Sequence, residues 1–532
     1  MTAKCIMILG TTSGAGKSWL TTALCRHYAR QGLKVAPFKA QNMSNNARVV
    51  ASSNGQGEIG SAQYFQALAA KAVPEVRMNP LLLKPEADTH SQVVLGQVSA
   101  ELTAMPWRGR SLKVWPQIAA ALDALRAEND VVVIEGAGSP AEINLHDSDI
   151  VNMRVALHCN AACLLVTDID RGGAFAHLYG TWALLPENER ALIKGFVLNK
   201  FRGDASLLAP APQMLQDLTG VPTVATLPMW WQHGLPEEDG VFDDRSISNG
   251  AVNLTVAVIA YPRISNLDEF QPLKNIPGVR LQWVRSPAEL AGLKSTDWVV
   301  LPGSKATSAD LAWLRSQGLD AAVAQHAGQG GVVLGVCGGL QMLGEALIDP
   351  HSIDGNAPGL GLLPLVTVFE ADKTVRRTQT RFVSMLTSAA AHDSEAMAGG
   401  RFLRVWQYEA PGHRPAGVTE PLADPVTPWT SLAGVSVSGY EIHHGQTAQH
   451  PAMAQAGEVA REVLPGGLGW QNAAGNVLGI YLHGLFEDTA ALQALFGARL
   501  NGPVPTLDAV FDGLADYIGR HFTPGLLDTL VR

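Results

Sequence analysis

Two short segments carry residue types that could do chemistry, and they lie far apart in the chain. Residues 10–18 read Gly-Thr-Thr-Ser-Gly-Ala-Gly-Lys-Ser, a pattern typical of a loop that binds phosphate. Residues 335–339 read Gly-Val-Cys-Gly-Gly, which is typical of a sharp turn presenting a nucleophile, here Cys337. A nucleotide site activates a substrate and a nucleophilic cysteine cleaves an acyl bond, so the two segments together indicate coupled reactions.

The glycine-rich loop predicts how phosphates would be held. Its backbone around Thr12, Gly14 and Gly16 would offer N–H groups to phosphate oxygens, aided by the N-terminus of the next helix. Lys17 would reach the β- and γ-phosphates, and the Ser18 hydroxyl would coordinate Mg²⁺. The strict pattern has glycine at position 11, where this chain has threonine, so the loop is a deviant form.

Polar residues at the ends of other predicted strands would complete this site. Glu135 ends the apolar run 131–134 and is the expected second ligand of the metal. Lys39 follows a predicted strand over 34–38, and the same sheet edge could offer it to a phosphate or a carboxylate. Asn199 follows another apolar run and could contact the nucleotide base. The structural alternatives are a solvent-facing acid for Glu135 and a simple turn for Asn199.

The cysteine segment predicts an acyl-transfer site. Cys337 follows a predicted strand over 332–335 and precedes a predicted helix over 340–347. The N-terminus of that helix favours the nucleophilic thiolate. The N–H of Gly338 is one natural donor to an oxyanion, and Gly303, in the loop after another apolar run, is a candidate for the second.

Cysteine chemistry needs a base, and the chain offers 15 histidines. His483 ends a late apolar run, where a neighbouring loop would place a base, and it is favoured over His443 and His444. The group that would orient the imidazole stays open between Glu487, Asp488 and no carboxylate at all.

The elements that must position these residues alternate along the chain. Apolar runs bounded by glycine, typical of strands, alternate with helical patterns over 18–31, 61–72 and 116–128. This order predicts a parallel sheet covered by helices on both faces. Because the alternation restarts with a strand over 254–260, we predict an α/β fold class with two doubly wound domains.

Length and composition set the domain boundaries. A chain of 532 residues is too long for a single core. We predict a phosphate-loop domain over 1–242, a polar, turn-rich linker over 243–251, a nucleophile-bearing domain over 252–500 and a C-terminal helical segment over 501–532.

Charge and cysteine content exclude several classes of function. The net charge of -9 gives no electrostatic footprint for nucleic acid. No apolar run approaches the roughly 20 residues that span a bilayer, so we expect no membrane partner. The 5 cysteines contain no CxxC pair and predict neither a disulfide framework nor a zinc site. A reducing cytoplasm fits all of them.

Longer segments carry a resemblance to a known family. They are residues 36–44, 57–63, 78–85, 168–175, 194–204, 301–305, 439–443 and 481–484. With the Cys337 turn and the late His483, they resemble a class I glutamine amidotransferase-like domain attached to a P-loop, dethiobiotin synthetase-like ATP domain. That arrangement is similar to the cobalamin-pathway amidases, and among them to the cobyric acid synthase family, over almost the whole chain.

Besides Lys305-Ala306-Thr307, where the family usually has Lys-Asn-Thr, two places in the chain depart from the expected pattern. The chain has Asn45-Asn46-Ala47 where the family usually has Leu-Asn-Ser, in a segment expected near the substrate. Amidotransferases with a full triad place glutamate two residues after the histidine, and this chain has Leu485 there. The first departure leaves substrate preference open, and the second leaves the triad's third member open.

The resemblance implies a reaction. Cys337 would hydrolyse glutamine through a thioester and release ammonia, while ATP with Mg²⁺ activates the acceptor. The acceptor would be a corrinoid, adenosylcobyrinic acid a,c-diamide, amidated at its b, d, e and g carboxylates to adenosylcobyric acid. Gln41, Asn42 and Arg171 join Lys39 as candidates for the substrate cleft, although a salt-bridged loop is an equal alternative for Arg171. Similar domains often pair, which implies a homo-oligomer.

Three other functions are alternatives to this hypothesis. The sibling amidase that acts on the a and c carboxylates uses the same chemistry, but the segments 41–43 and 168–175 favour the first family. A partition-type ATPase with a vestigial glutaminase domain would carry a second lysine at the position of Thr12. A pure corrinoid-binding module would carry an Asp-x-His-x-x-Gly signature, which does not occur with its usual context.

Overall fold

The computed structural model describes residues 2–52, 55–87, 90–231, 233–236, 252–383, 428–499 and 506–532. The predicted linker over 243–251 lies outside the described residues. The N-terminal half comprises the described residues up to 236, and the C-terminal half comprises those from 252 to 499.

Strands and helices alternate in the N-terminal half. The strands are β1 (Lys4–Gly10), β2 (Val35–Phe38), β3 (Gln41–Met43), β4 (Ala47–Ser52), β5 (Gly55–Gly60), β6 (Leu81–Ala87), β7 (His90–Leu95), β8 (Gln97–Val98), β9 (Val131–Glu135), β10 (Ala162–Asp168), β11 (Ile193–Phe201) and β12 (Thr223–Pro228). The helices are α1 (Lys17–Arg30), α2 (Ser61–Ala69), α3 (Ala100–Ala104), α4 (Trp107–Glu128), α5 (Met153–Cys159), α6 (Ala174–Leu184), α7 (Glu187–Arg190) and α8 (Ala211–Thr219).

The main sheet of this half has the order β12-β11-β10-β1-β9-β2, and every pairing in it is parallel. Its central strands are buried along nearly their whole length, as expected for a parallel sheet covered on both faces. Since parallel strands end at the same edge, Gly10, Lys39, Glu135, Asp168 and Asn199 gather there. The predicted fold class is confirmed.

Smaller sheets flank this one and were not predicted. One has the order β3-β6-β7-β8, and β4 pairs with β5 as an antiparallel hairpin. Their strands mix polar with apolar residues, so periodicity gave no signal for them. They carry Gln41 and Asn42 on β3, and Arg48 on β4.

The C-terminal half and the C-terminal segment contain the remaining elements. The strands are β13 (Leu254–Ile259), β14 (Ile264–Ser265), β15 (Val279–Val284), β16 (Trp298–Leu301), β17 (Gly303–Ser304), β18 (Val332–Val336), β19 (Ala346–Ile348), β20 (Ala357–Pro358), β21 (Leu365–Arg381), β22 (Ser436–Gln449), β23 (Arg461–Leu464), β24 (Gly469–Gln471) and β25 (Val477–Ile480). The helices are α9 (Thr307–Ser316), α10 (Leu319–Gly328), α11 (Gly338–Leu343), α12 (Pro451–Gln455), α13 (Thr489–Phe496), α14 (Leu507–His521) and α15 (Leu526–Thr529).

The second main sheet has the order β15-β13-β16-β18-β25-β24-β23. Its first five strands are parallel, and β24 and β23 join antiparallel. The predicted helix over 340–347 is wrong at its end, because α11 stops at Leu343 and β19 begins at Ala346. The N–H of Glu345 donates to the carbonyl of Leu365 at 2.7 Å, so pairing toward β21 replaces the next helical turn.

The C-terminal helices do not pack as an appendage of the C-terminal half. Helix α14 lies against α1 of the N-terminal half, where Arg26 forms ion pairs with Asp508 and, at 3.0 Å, with Asp512. The Tyr28 hydroxyl donates to the carbonyl of Leu527 at 2.8 Å. The predicted helical segment therefore closes over the phosphate-loop domain, with Phe511 among its buried residues.

Candidate active sites

The phosphate loop lies between β1 and α1 in a glycine-dependent conformation. Gly14 and Gly16 have φ values of +73° and +100°, in the left-handed region that favours glycine. A Cβ at Gly16 would lie 2.1 Å from Nδ2 of Asn199. The same amide donates to the carbonyl of Ala15 at 2.9 Å, so Asn199 supports the loop from β11.

Lys17 lies across the loop. Its ammonium donates to the carbonyl of Thr12 at 3.0 Å and to that of Gly138 at 3.2 Å. Both acceptors are backbone oxygens, and the two contacts hold the ammonium beside the loop. This places a positive charge at the mouth of the loop, where phosphoryl groups would sit.

Glu135 closes the site from the end of β9. Its Oε1 accepts from Ser18 and from Lys39, each at 2.8 Å, and its Oε2 accepts from Gln66 at 2.5 Å. Burial raises the pKa of this carboxyl, but the Lys39 charge and the three hydrogen bonds lower it further than burial raises it. Glu135 therefore stays ionised, and with the Ser18 hydroxyl it forms a pair of hard oxygen ligands of the kind Mg²⁺ takes.

The residues expected around the substrate cleft differ in their exposure to solvent. Arg171 is exposed, and its Nε lies 3.4 Å from Oδ2 of Asp168, which also pairs with Lys200 at 3.2 Å. Gln41 and Asn42 are buried on β3. The side-chain oxygen of Gln41 has no hydrogen-bond partner among the described residues, so a ligand donor would relieve the cost of its burial.

Cys337 occupies a strained turn between β18 and α11. Its φ of +52° lies in a region that non-glycine residues rarely adopt. A Cβ at Gly338 would lie 2.8 Å from the backbone nitrogen of Ser304, and one at Gly303 would lie 3.0 Å from Cε1 of His483. The Gly303–Ser304 strand is therefore packed against both the cysteine turn and the histidine.

His483 is held by a carboxylate that the sequence did not indicate. Its Nδ1 lies 3.0 Å from Oε1 of Glu269, whose Oε2 accepts from the N–H of Gly484 at 2.9 Å. Burial lowers the pKa of the imidazole, but Glu269 and Cys337 raise it more, to about 10. Cys337, His483 and Glu269 therefore lie in the arrangement that a nucleophile, a base and an orienting acid would take.

Neither of the acids considered for this role orients His483. Oε1 of Glu487 lies 2.5 Å from a guanidinium nitrogen of Arg48. Asp488 caps α13 by accepting from the N–H groups of Ala490 and Ala491 at 2.9 and 3.0 Å. Both acids follow His483 closely in the chain, but their side chains are engaged by Arg48 and by the start of α13. The only sequence signal for Glu269 was an acid pair, Asp268-Glu269, shortly after a predicted strand.

The other two candidate bases are engaged elsewhere. Nδ1 of His443 lies 2.8 Å from the carbonyl of Gly445, and Nε2 lies 3.2 Å from Oε2 of Glu441. Nδ1 of His444 lies 3.0 Å from the carbonyl of Glu370. With both ring nitrogens of His443 occupied, the contacts favour His483 as the base.

A cavity of about 210 Å³ joins the two halves at the cysteine site. The C-terminal half contributes Cys337, His483 and Gln341 to its wall, and the N-terminal half contributes Lys84 and Gln92. Burial is the main cause that lowers the pKa of Lys84, to about 7, although Glu58 raises it. The glutaminase-like site therefore opens toward the N-terminal half through polar walls.

The part of the chain that the structure describes contains no group of three or more His, Cys, Asp or Glu side chains that could hold a metal ion. It also contains no helix that is long and apolar enough to cross a membrane.

Comparison with known proteins assigns both halves to families. Residues 6–234 match the CobQ/CobB/MinD/ParA nucleotide binding domain, and residues 255–491 match the CobB/CobQ-like glutamine amidotransferase domain. The chain is 76% identical to a cobyric acid synthase from Albidiferax ferrireducens and 72% identical to one from Polaromonas naphthalenivorans, each over 532 residues and 100% of both chains. A cobyric acid synthase from Methylibium petroleiphilum is 61% identical over 99% of this chain and 97% of its own.

Proposed function

Because this chain belongs to the cobyric acid synthase family, we propose that it amidates the b, d, e and g carboxylates of adenosylcobyrinic acid a,c-diamide to give adenosylcobyric acid. ATP activates each carboxylate and glutamine supplies the ammonia. One observation carries the proposal: a single chain holds a Cys337, His483 and Glu269 triad and a phosphate loop closed by Glu135.

Glutamine hydrolysis follows from the triad. The Cys337 thiolate attacks the side-chain amide carbon of glutamine, and the oxyanion that forms is held by N–H groups at Gly338 and Gly303. His483 then gives a proton to the leaving nitrogen, so ammonia departs and a thioester remains. Water, deprotonated by His483, hydrolyses the thioester to glutamate and restores the thiolate. Glu269 fixes the ring orientation and stabilises the imidazolium throughout.

Carboxylate activation follows from the phosphate loop. The substrate carboxylate attacks the γ-phosphorus of ATP, which forms an acyl phosphate and releases ADP. Ammonia then attacks the acyl carbon and displaces phosphate, leaving the amide. Lys17 faces the transferring phosphoryl group, and the ammonium of Lys39 is kept beside it by Glu135. Bound Mg²⁺ would neutralise phosphate charge, with Ser18 and Glu135 as its protein ligands.

The remaining assignments belong to the same proposal. The loop backbone at Thr12, Gly14 and Gly16 binds phosphate, and Asn199 supports that loop. Gln41, Asn42 and Arg171 are proposed to contact the corrinoid, which is a substrate. The 5 cysteines are unpaired, which supports a reducing cytoplasm as the location.

The test is a mass-shift assay with ATP, Mg²⁺ and adenosylcobyrinic acid a,c-diamide, with either glutamine or ammonium as nitrogen source. Each amidation lowers the mass by about one unit. Cys337→Ala should lose glutamine-dependent amidation and keep ammonium-dependent amidation, and Cys5→Ala, another buried cysteine, should keep both. Amidation of cobyrinic acid in place of the a,c-diamide would assign the chain to the sibling reaction. No mass change with either corrinoid would reject the proposed substrate class.

A further inference from the structure

Arg48 belongs to the N-terminal half but makes its polar contacts with the C-terminal half. It lies on β4, and its side chain is fully buried. Its guanidinium donates to Asp268, to the hydroxyl of Tyr440, and to Glu487 at 2.5 Å. All three acceptors lie beside the Glu269 and His483 pair rather than in the phosphate site.

Backbone contacts next to Arg48 fix the two halves to each other at the same place. The N–H of Ala47 donates to Oδ1 of Asn266 at 2.8 Å, and the N–H of Leu267 donates to Oδ1 of Asn46 at 3.0 Å. Leu267 begins the short 3-10 helix Leu267–Asn275, which carries Glu269. The segment that departs from the family's usual sequence thus holds the element that bears the triad's acid.

The carboxylates around Glu269 depend on Arg48 for positive charge. Asp268 and Glu269 are buried, and Glu487 is nearly so. Burial raises the pKa of Glu487 to about 7, with Arg48 and then His483 opposing the rise while Asp268 and Glu269 add to it. Burial also raises the pKa of Asp268 in spite of Arg48. Without the guanidinium, these carboxylates would repel one another, and the repulsion would act on the position of Glu269.

A second route joins Arg48 to the base itself. The guanidinium carbon of Arg48 lies 5.0 Å from the centre of the Tyr440 ring. The Tyr440 ring stacks on the His483 ring with centroids 5.2 Å apart and planes inclined by 19°. The N–H of His483 donates to the carbonyl of Tyr440 at 2.9 Å. Arg48 therefore supports the imidazole through an aromatic stack as well as through the acids.

We propose that Arg48 is a positioning residue for glutamine hydrolysis, by which the N-terminal half holds Glu269 and His483 in their catalytic arrangement. The inference rests on the proposed function for the identity of the reaction. It makes the glutaminase site dependent on the docked N-terminal half, so that ammonia is released only where the acceptor domain is in place.

The test compares Arg48→Gln and Arg48→Lys in the full chain. For Arg48→Gln, kcat of glutamine hydrolysis should fall by about 10-fold or more, with KM for glutamine changed by less than about threefold. The pH at half-maximal hydrolysis should move upward, because unneutralised acids favour the protonated imidazole. Ammonium-dependent amidation should stay near the wild-type rate, and Arg48→Lys should recover part of kcat because it keeps the charge.

Arg377→Gln is the matched control. Arg377 also crosses between the halves, donating to the carbonyl of Val49 at 3.1 Å and to the Tyr64 hydroxyl at 3.3 Å, but neither contact involves the acids beside Glu269. Unchanged kcat and pH profile in Arg48→Gln would overturn the inference. Equal loss of glutamine- and ammonium-dependent reactions in both Arg48 variants would also overturn it, since the residue would then serve the fold alone. Failure of the proposed function would appear in the wild type, as no corrinoid amidation with ammonium.

Discussion

Nδ1 of His483 lies 3.0 Å from Oε1 of Glu269, although 214 positions separate the two residues. The acid comes from the short 3-10 helix after β14, and the base follows β25. With Nδ1 bonded to a carboxylate, Nε2 is the nitrogen left to exchange protons with Cys337. The contact therefore decides the tautomer on which the proposed glutamine hydrolysis depends.

Replacing Glu269 with glutamine should cut kcat for glutamine hydrolysis by about 100-fold or more. A neutral amide cannot stabilise the imidazolium and can select the wrong tautomer. Steady-state glutamate release measures the effect. Glu441→Gln is the control, because Glu441 is another buried acid paired with a histidine, His443, at 3.2 Å. Equal losses in the two variants would remove the special role of Glu269.

The pKa of His483, raised to about 10 from an ordinary value of 6.5, predicts a pH dependence of stability. The stabilisation that protonated His483 contributes is fully present below the pKa of this histidine in the unfolded state. It is lost as pH rises through the pKa in the folded state. The free energy of unfolding should therefore fall between about pH 6.5 and pH 10.

Urea unfolding of the wild type and of His483→Gln at several pH values tests this dependence. The variant should show a flatter profile over the same range, and His351→Gln, at an exposed histidine, should follow the wild type. Parallel profiles for wild type and His483→Gln would mean that the ion pair with Glu269 does not stabilise the fold.

Glu135→Gln should impair amidation and spare glutamine hydrolysis. Cys337→Ala should do the reverse, losing glutamine-dependent chemistry and sparing amidation with ammonium. The Glu135 substitution removes the charge that pairs with Lys39 and the carboxylate proposed for Mg²⁺. Amidation should fall by about 100-fold or more with either nitrogen source, while glutamine hydrolysis continues. Product mass and glutamate release are measured in parallel, with the exposed Glu142→Gln as control. Full amidation by Glu135→Gln would show that Glu135 does not contribute to the phosphate site.

Gly16→Ala tests whether close packing, as well as backbone conformation, requires glycine in the loop. Gly16 has a φ of +100°, and a Cβ added there would lie 2.1 Å from Nδ2 of Asn199. The control is Gly32→Ala, because Gly32 has a similar φ of +84° but a Cβ added there would have no atom within 4 Å. Both variants carry backbone strain of about 1–2 kcal/mol. Only Gly16→Ala should also weaken binding of a non-hydrolysable ATP analogue, measured by calorimetry. Similar affinities would show that Asn199 can move aside.

Local sequence patterns were sufficient to predict several strands and the candidate site residues at their ends. The apolar runs that became β1, β9 and β18 are continuous and bounded by glycine, so their burial in parallel sheets followed from pattern alone. The residues placed directly at strand ends, Glu135 and Cys337, could be assigned because a strand and its following loop are contiguous in the chain.

The contacts that depend on the tertiary structure join residues far apart in the chain. Glu269 reaches His483, Arg48 crosses from one half to the other, and α14 returns to α1 near the beginning of the chain. Local sequence patterns do not reveal these pairings, because each side chain has its partner more than 200 positions away. The sequence indicated the central strands of the two main sheets and the chemistry at their ends. Which acid meets which base depends on how the sheets, helices and halves pack, because burial and charge pairing act between surfaces that only folding brings together.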